Sequence, residues 1–186
     1  VLILSMAIMN GTAKEFERKL FTMNYPLTIY PKMDNSLNED LLVKLQNEYP
    51  KLKFSPFISS QAIIQSGDAM SGGMIFGVIP EKEALINPIY KEALADLKPE
   101  KYDIITGSGI SDKLLLNDGS KATLYFTELN PTGFSMMPKM KRFTYITSFT
   151  SGLNAYDKSY MYTSMEALQS LLKKDVGAYD GIHIHS

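Results

Sequence analysis

With 186 residues, 45% of them apolar and 21% charged, the chain has material for one ordinary domain or two small ones. A net charge of −1 argues against nucleic acid as a partner, since domains that bind it carry a basic surplus. The absence of cysteine excludes a disulfide scaffold, a thiolate metal site and a cysteine nucleophile.

The chain opens on VLILSMAIM, an apolar run without the basic flank of a signal peptide and far short of the roughly 20 residues that span a bilayer. It reads either as a buried helix or as the outer end of a transmembrane helix. Thr12 to Met23 continues as an amphipathic helix, with Ala13, Phe16, Leu20 and Met23 on one face. Tyr25-Pro26 ends it, because a residue before proline is pushed out of the helical region. Leu27 to Tyr30 is then a short strand, and Ser36 is placed to cap a helix running from Leu37 to about Glu48. Phe54 to Gln65 and Gly73 to Ile79 have strand composition, joined by a turn spread over Gly67 to Gly73. A weaker helix from Glu81 to Leu97 is interrupted by Pro88.

Asp103 to Thr106 is a strand entering Gly107-Ser108-Gly109 and a short helix to Leu116, with Ser108 as its expected cap. Asn117-Asp118-Gly119 is a turn signal into the strand Lys121 to Phe126. A second strand runs from Arg142 to Thr150. Further on come a polar turn through Asn154 and Asp157, a strand from Tyr160 to Thr163, a helix capped by Ser164, and a last strand from Gly181 to Ser186. The closing β-α-β mirrors the opening β-α-β-β, so the two ends are expected to meet in one sheet. The stretch from about Lys82 to Asn154 would be an inserted, β-rich lobe.

The most informative stretch joins the two strands of that lobe. Leu129 to Phe143 (LNPTGFSMMPKMKRF) is far longer than an ordinary hairpin turn of two to five residues. Pro131 and Pro138 cannot extend the ladder, and Gly133 bends freely between them. Phe134, Met136, Met137 and Met140 are interleaved with Lys139, Lys141 and Arg142. Adaptable apolar side chains bracketed by cations describe a projecting arm that touches a partner. The alternative is a cap folded onto the domain's own core.

Catalytic patterns are missing. His183 and His185 share a strand face, as two metal ligands would, but no further histidine or cysteine exists to complete a zinc site. There is no phosphate-binding glycine loop and no Gly-x-Ser-x-Gly elbow. No catalytic, cofactor-binding or metal-binding residue is therefore assigned.

Four groups of residues occur in a telling order: Leu4-Ser5 through Met9-Asn10-Gly11 with the helix after them; Phe76-Gly77-Val78-Ile79-Pro80; Gly109 to Leu116 with Asp118-Gly119; and Arg142-Phe143 to Phe149 with Gly152 and Tyr156-Asp157. Together they resemble the periplasmic domains of lipoprotein-releasing ABC transporter permeases of the LolC/LolE type, relatives of the MacB-like permeases. Three details depart from the pattern. Ile110-Ser111 replaces Leu-Ala, Gly119 follows rather than precedes its aspartate, and Thr147-Ser148 stands where glycine is common.

The resemblance implies an α/β, two-lobed MacB-like periplasmic domain. Residues 1–24 would be the end of a transmembrane helix and a stalk helix, 25–81 with 155–186 a Porter-like α/β lobe, and 82–154 a Sabre-like β-rich lobe carrying a hook at 129–143. It also implies that the hook grips the soluble carrier LolA through Pro131, Thr132, Gly133, Phe134, Ser135, Met136, Met137, Pro138, Lys139, Met140, Lys141 and Arg142. The Pro131-x-Gly133…Pro138 spacing looks more like LolC than LolE. Other implied partners are the cytoplasmic ATPase subunit LolD, a second permease subunit or copy, lipoprotein substrates and the inner membrane of a Gram-negative bacterium. Two rival readings are a MacB-like peptide or toxin exporter and a small-ligand-binding α/β module with the arm as its lid.

Overall fold

The computed structural model describes residues 27–30, 37–126, 139–172 and 177–185. The expected stalk and transmembrane end, residues 1–24, lie outside them. The described strands are β1 (Leu27–Ile29), β2 (Leu37–Asn38), β3 (Lys53–Ser66), β4 (Ala69–Val78), β5 (Asp103–Gly107), β6 (Lys121–Phe126), β7 (Lys139–Phe149), β8 (Tyr160–Ser164), β9 (Ala178–Tyr179) and β10 (Gly181–His185). The helices are α1 (Glu39–Glu48), α2 (Pro80–Ile86), α3 (Pro88–Leu94), α4 (Ser108–Lys113), α5 (Asn154–Asp157) and α6 (Met165–Leu172).

Eight strands form one sheet in the order β1-β10-β3-β4-β8-β5-β7-β6, and β6 pairs back onto β3. The long strand β3 makes this closure possible, because one of its edges takes two partners in succession. Residues 53–57 pair with β10, and Ala62 to Gln65 pair with β6. The result is a barrel-like ring extended by β10 and β1, strands from opposite ends of the chain. Strand pairing continues across the boundaries expected at 81/82 and 154/155, through β5–β8 and β3–β6.

Alternation along these strands feeds two cores. Ile64, Ile75, Ile104, Leu124, Phe126, Phe143 and Met161 point into the ring and pack with Leu42 of α1, Ile110 of α4 and Leu168 of α6. Phe57, Val78, Ile105, Phe149 and Tyr162 point outward and are covered by Tyr90 and Leu94 of α3. A bulge lets β7 serve both. Ile104 faces Tyr145 but Ile105 faces Thr147, so Ile146 is an extra residue. One extra residue exchanges the two faces, which sends Phe143 and Tyr145 inward and Phe149 outward.

Several local expectations change. The cap of α1 is Asn38, whose side chain accepts from the Leu41 amide at 2.9 Å, while Leu37–Asn38 pairs with β9. Ser36 lies outside the described residues. Ser108 is the first helical residue of α4 rather than its cap, and its carbonyl accepts from the Ser111 hydroxyl at 3.0 Å. The β3–β4 turn tightens to Gly67-Asp68, with Ser66 opposite Ala69, so Gly72 and Gly73 lie within β4. Gly67 adopts φ +59, the conformation a two-residue hairpin needs at its first turn position. Pro88 does divide the 81–97 region, with Asn87 ending α2 and capping α3 through the Tyr90 amide at 3.0 Å. Ser164 caps α6 as expected, its hydroxyl accepting from the Ala167 amide at 3.1 Å.

Candidate partner-docking site

The arm is rooted in an antiparallel ladder. Lys121 pairs with Thr144 and the register runs without a break to Phe126 and Lys139. The connection is thus residues 127–138, shorter than the stretch from Leu129 to Phe143, because β7 begins three residues before Arg142. Pro131, Thr132, Gly133, Phe134, Ser135, Met136, Met137 and Pro138 lie outside the described residues. Lys139, Met140, Lys141 and Arg142 are described, and all four are exposed.

Strand geometry divides these four side chains between two faces. Lys139 and Lys141 continue the inward-facing series of Phe143 and Tyr145 past the end of the core. Met140 and Arg142 stand on the outer face beside Tyr125 and Thr123. The three cations therefore do not form one patch. Lys139 donates to the carbonyl of Leu171, 2.9 Å away in the last turn of α6, where unpaired carbonyls and the helix dipole favour a cation. Lys141 holds its ammonium 4.4 Å from the ring centroid of Tyr102, which itself meets Phe143 edge-on at 5.7 Å. Lys101 approaches the same ring at 5.2 Å and Glu166 at 3.9 Å. Tyr102 and the Leu171 carbonyl were not identifiable from the sequence, since no periodicity links either to the arm. On the outer face Tyr125 donates to Gln65 at 2.9 Å, tying β6 to β3.

The residues considered for other chemistry have different employment. The ring of His183 is stacked on Phe57 with centroids 4.1 Å apart, and its Nδ1 lies 3.9 Å from the buried Glu83 carboxylate. Among the described residues no three His, Cys, Asp or Glu side chains gather as a metal site. A Cβ on Gly107 would sit 2.1 Å from the Asp157 carbonyl oxygen, so this glycine permits α5 to rest against the turn into α4. Asp157 in turn gathers the Ser151 amide and hydroxyl, each at 2.7 Å, and the Gly152 amide at 3.2 Å. The Gly107–Gly109, Gly152 and Tyr156-Asp157 motifs are thus one packing unit.

No protein-family model matches the chain. The lipoprotein-releasing system transmembrane protein LolC of Xylella fastidiosa (strain Temecula1) is 27% identical over 180 residues, 94% of this chain and 43% of that protein. LolC of Neisseria meningitidis serogroup B gives the same identity and coverage. The chain therefore spans less than half the length of these relatives. Among solved structures, the extracellular domain of the noncanonical ABC-type transporter YknZ from Gram-positive bacteria matches with a TM-score of 0.56 and 13% identity, covering 86% of this chain and 81% of that one. The periplasmic region of MacB from Actinobacillus actinomycetemcomitans covers 83% of this chain and 71% of that one, with a TM-score of 0.48 and 9% identity. The chain is thus similar along 94% of its length to the LolC-type lipoprotein-releasing transmembrane proteins, and its α/β fold is that of the extracellular domain of the ABC-type transporter YknZ.

Proposed function

We propose that this chain is the periplasmic domain of an inner-membrane permease of the lipoprotein-releasing ABC transporter, and that its arm docks the soluble carrier LolA. The observation that carries the reading is the β6–β7 hairpin, whose connection leaves the ladder at Phe126 and Lys139. Its root is braced by Lys139 on α6 and Lys141 on Tyr102, a base stiff enough to present a loop. Likeness to LolC along 94% of the chain supports the same reading. Within it, Phe134, Met136 and Met137 enter the carrier's apolar mouth and set the lifetime of the complex. The flanking cations mainly raise the rate of encounter.

The domain has no catalytic residue in this reading. ATP is hydrolysed by a separate cytoplasmic subunit, LolD, and the domain couples that movement to lipoprotein extraction and transfer towards the outer membrane. The proposed division into a Porter-like lobe (25–81 and 155–186) and a Sabre-like lobe (82–154) is one of role: the first leads to the stalk, the second presents the arm. Among the described residues no helix is long and apolar enough to cross a membrane. The bilayer contacts and the second permease subunit are assigned to the parts of the protein that flank this domain.

The test is calorimetric titration of the domain with LolA from the same organism. Wild type is compared with a Phe134→Ala, Met137→Ala, Pro138→Ala variant whose fold is checked by circular dichroism. Binding by wild type and none by the folded variant is the expected result. Folded wild type that does not bind LolA would turn the reading towards a MacB-like exporter.

A further inference from the structure

β7 changes partner halfway along its length. Lys139 to Thr144 pairs with β6, and Thr144 to Phe149 pairs with β5. Tyr145 still bonds the turn before β6, donating to the Ser120 carbonyl and accepting from the Gly119 amide, each at 2.8 Å. Past the bulge at Ile146 that contact ends. Among the described residues no strand pairs with the edge of Thr147 to Phe149 that faces away from β5. A cleft of about 260 Å³ runs beside this edge on the outer face. Ile89, Glu92 and Ala93 of α3 form its far wall, and the chain from Thr147 to Thr150 forms the near one.

An unpaired edge presents N–H and C=O groups at strand spacing, and another extended backbone is their natural complement. Proteins usually blunt such edges with charges, prolines or short length. Two other open edges of this sheet are treated so. β1 is three residues long, with Pro26 before it and Pro31 shortly after. The open edge in the first half of β7 carries Lys139, Lys141 and Arg142. From Phe143 to Thr150 there is neither a charge nor a proline, and every residue except Ser148 is aromatic or β-branched.

The cleft adds side-chain preferences to this backbone match. Thr147 and Thr150 bring hydroxyls, while Ile89 and Ala93 give an apolar wall. Glu92 is exposed and is the one charged side chain among the described residues that line the cleft. A lysine or arginine fits beside it better than a carboxylate. The open stretch spans roughly 13 Å, room for about four residues of an added strand. It lies roughly 30 Å along β7 from Lys139, so it is separate from the arm and independent of the carrier-docking reading.

We propose that the open edge from Thr147 to Thr150 is a strand-addition site for an extended peptide segment of a partner protein, with a lysine or arginine of that segment set against Glu92. The segment pairs backbone to backbone with β7 and lays alternate side chains into the cleft beside α3.

The probe is a phage-displayed library of random dodecapeptides, panned against the whole chain. Enriched peptides are expected to alternate β-branched or aromatic residues with others and to carry lysine or arginine. Hydrogen exchange at the amides of residues 147–150 should slow when such a peptide binds. Two N-methylated forms of the strongest peptide, one methylated at odd positions and one at even, should differ. The form whose methyl groups face β7 loses binding, and the other keeps it. Glu92→Lys, an exposed change on α3, should weaken binding about three- to tenfold. The site is overturned if the folded chain enriches no peptide, if exchange slows only outside 147–150, or if both N-methylated forms bind alike. Unchanged affinity in folded Glu92→Lys overturns the basic residue set against it. Should Glu92→Lys fail to fold, the N-methylated pair, which leaves the protein unaltered, still decides.

Discussion

Ser55 on β3 donates its hydroxyl to the carboxylate of Glu83 on α2 at 2.7 Å, with both residues fully buried. Asn87 donates to the other carboxylate oxygen at 3.2 Å and also reaches the Tyr162 hydroxyl at 3.4 Å. A polar network inside the second core therefore fixes the α2–α3 pair to the sheet. Removing one partner of a buried group leaves the other desolvated and unsatisfied, which costs about 1–3 kcal/mol. Ser55→Ala is expected to lower unfolding free energy by about that amount, and Glu83→Ala by more, because it removes an acceptor from both Ser55 and Asn87. Urea denaturation with an unchanged m-value is the check.

Alkaline pH should weaken the same region. Burial, with Glu83 and then Glu81 adding to it, holds the Tyr90 phenol well above its ordinary value of 10.0. A raised folded-state value means that the native state keeps a proton the unfolded chain releases. The stabilisation is complete below about pH 10 and is lost as pH rises towards the folded-state value. Tyr160 and Tyr179 are shifted in the same direction, each chiefly by burial. The melting temperature should thus fall progressively above pH 10, and Tyr90→Phe should make that fall shallower. An equally steep fall in the variant would remove Tyr90 from the account.

Two glycines should respond oppositely to the same substitution. At Gly107 a methyl group meets the Asp157 backbone carbonyl at 2.1 Å, and backbone cannot step aside cheaply. Gly107→Ala should lose about 1–3 kcal/mol, the usual cost of overpacking, or more. At Gly72 the added methyl group meets nothing. There Gly72→Ala should be neutral or gain a few tenths of a kcal/mol by restricting the unfolded chain. Paired thermal melts compare the two directly.

The contact of Lys141 with Tyr102 should be measurable as a coupling. A partly exposed cation over an aromatic face contributes about 0.5–1 kcal/mol. A double-mutant cycle with Lys141→Ala and Tyr102→Ala is expected to return a coupling of that size, with the Tyr102 single variant the costlier because it also loses its edge contact with Phe143. A coupling of zero would mean that Lys141 is held by the strand alone.

The sequence by itself determined the parts of this fold that local rules control. Gly119 in a left-handed turn, Pro88 as a helix break, Ser164 as a cap and the period-2 patterns of β6 and of β7 as far as Tyr145 each depend on a few neighbouring residues. The order of its glycine, proline and aromatic motifs was enough to point to the LolC/LolE-type permeases. Tertiary structure decided the rest. Leu37–Asn38 is a strand only because Ala178–Tyr179, far along the chain, pairs with it. Glu83 has the composition of a surface helix charge, and its burial depends on Ser55 and Asn87 arriving with donors. The bulge at Ile146 is invisible in an apolar run, because its effect is to exchange faces relative to β5, a strand some forty residues earlier. The cations of the arm look like one cluster in sequence and are split by the pleat, which sends Lys139 and Lys141 one way and Arg142 the other. Local propensity acts through adjacent residues, whereas the face a side chain serves is set by the strand beside it, which the sequence places anywhere along the chain.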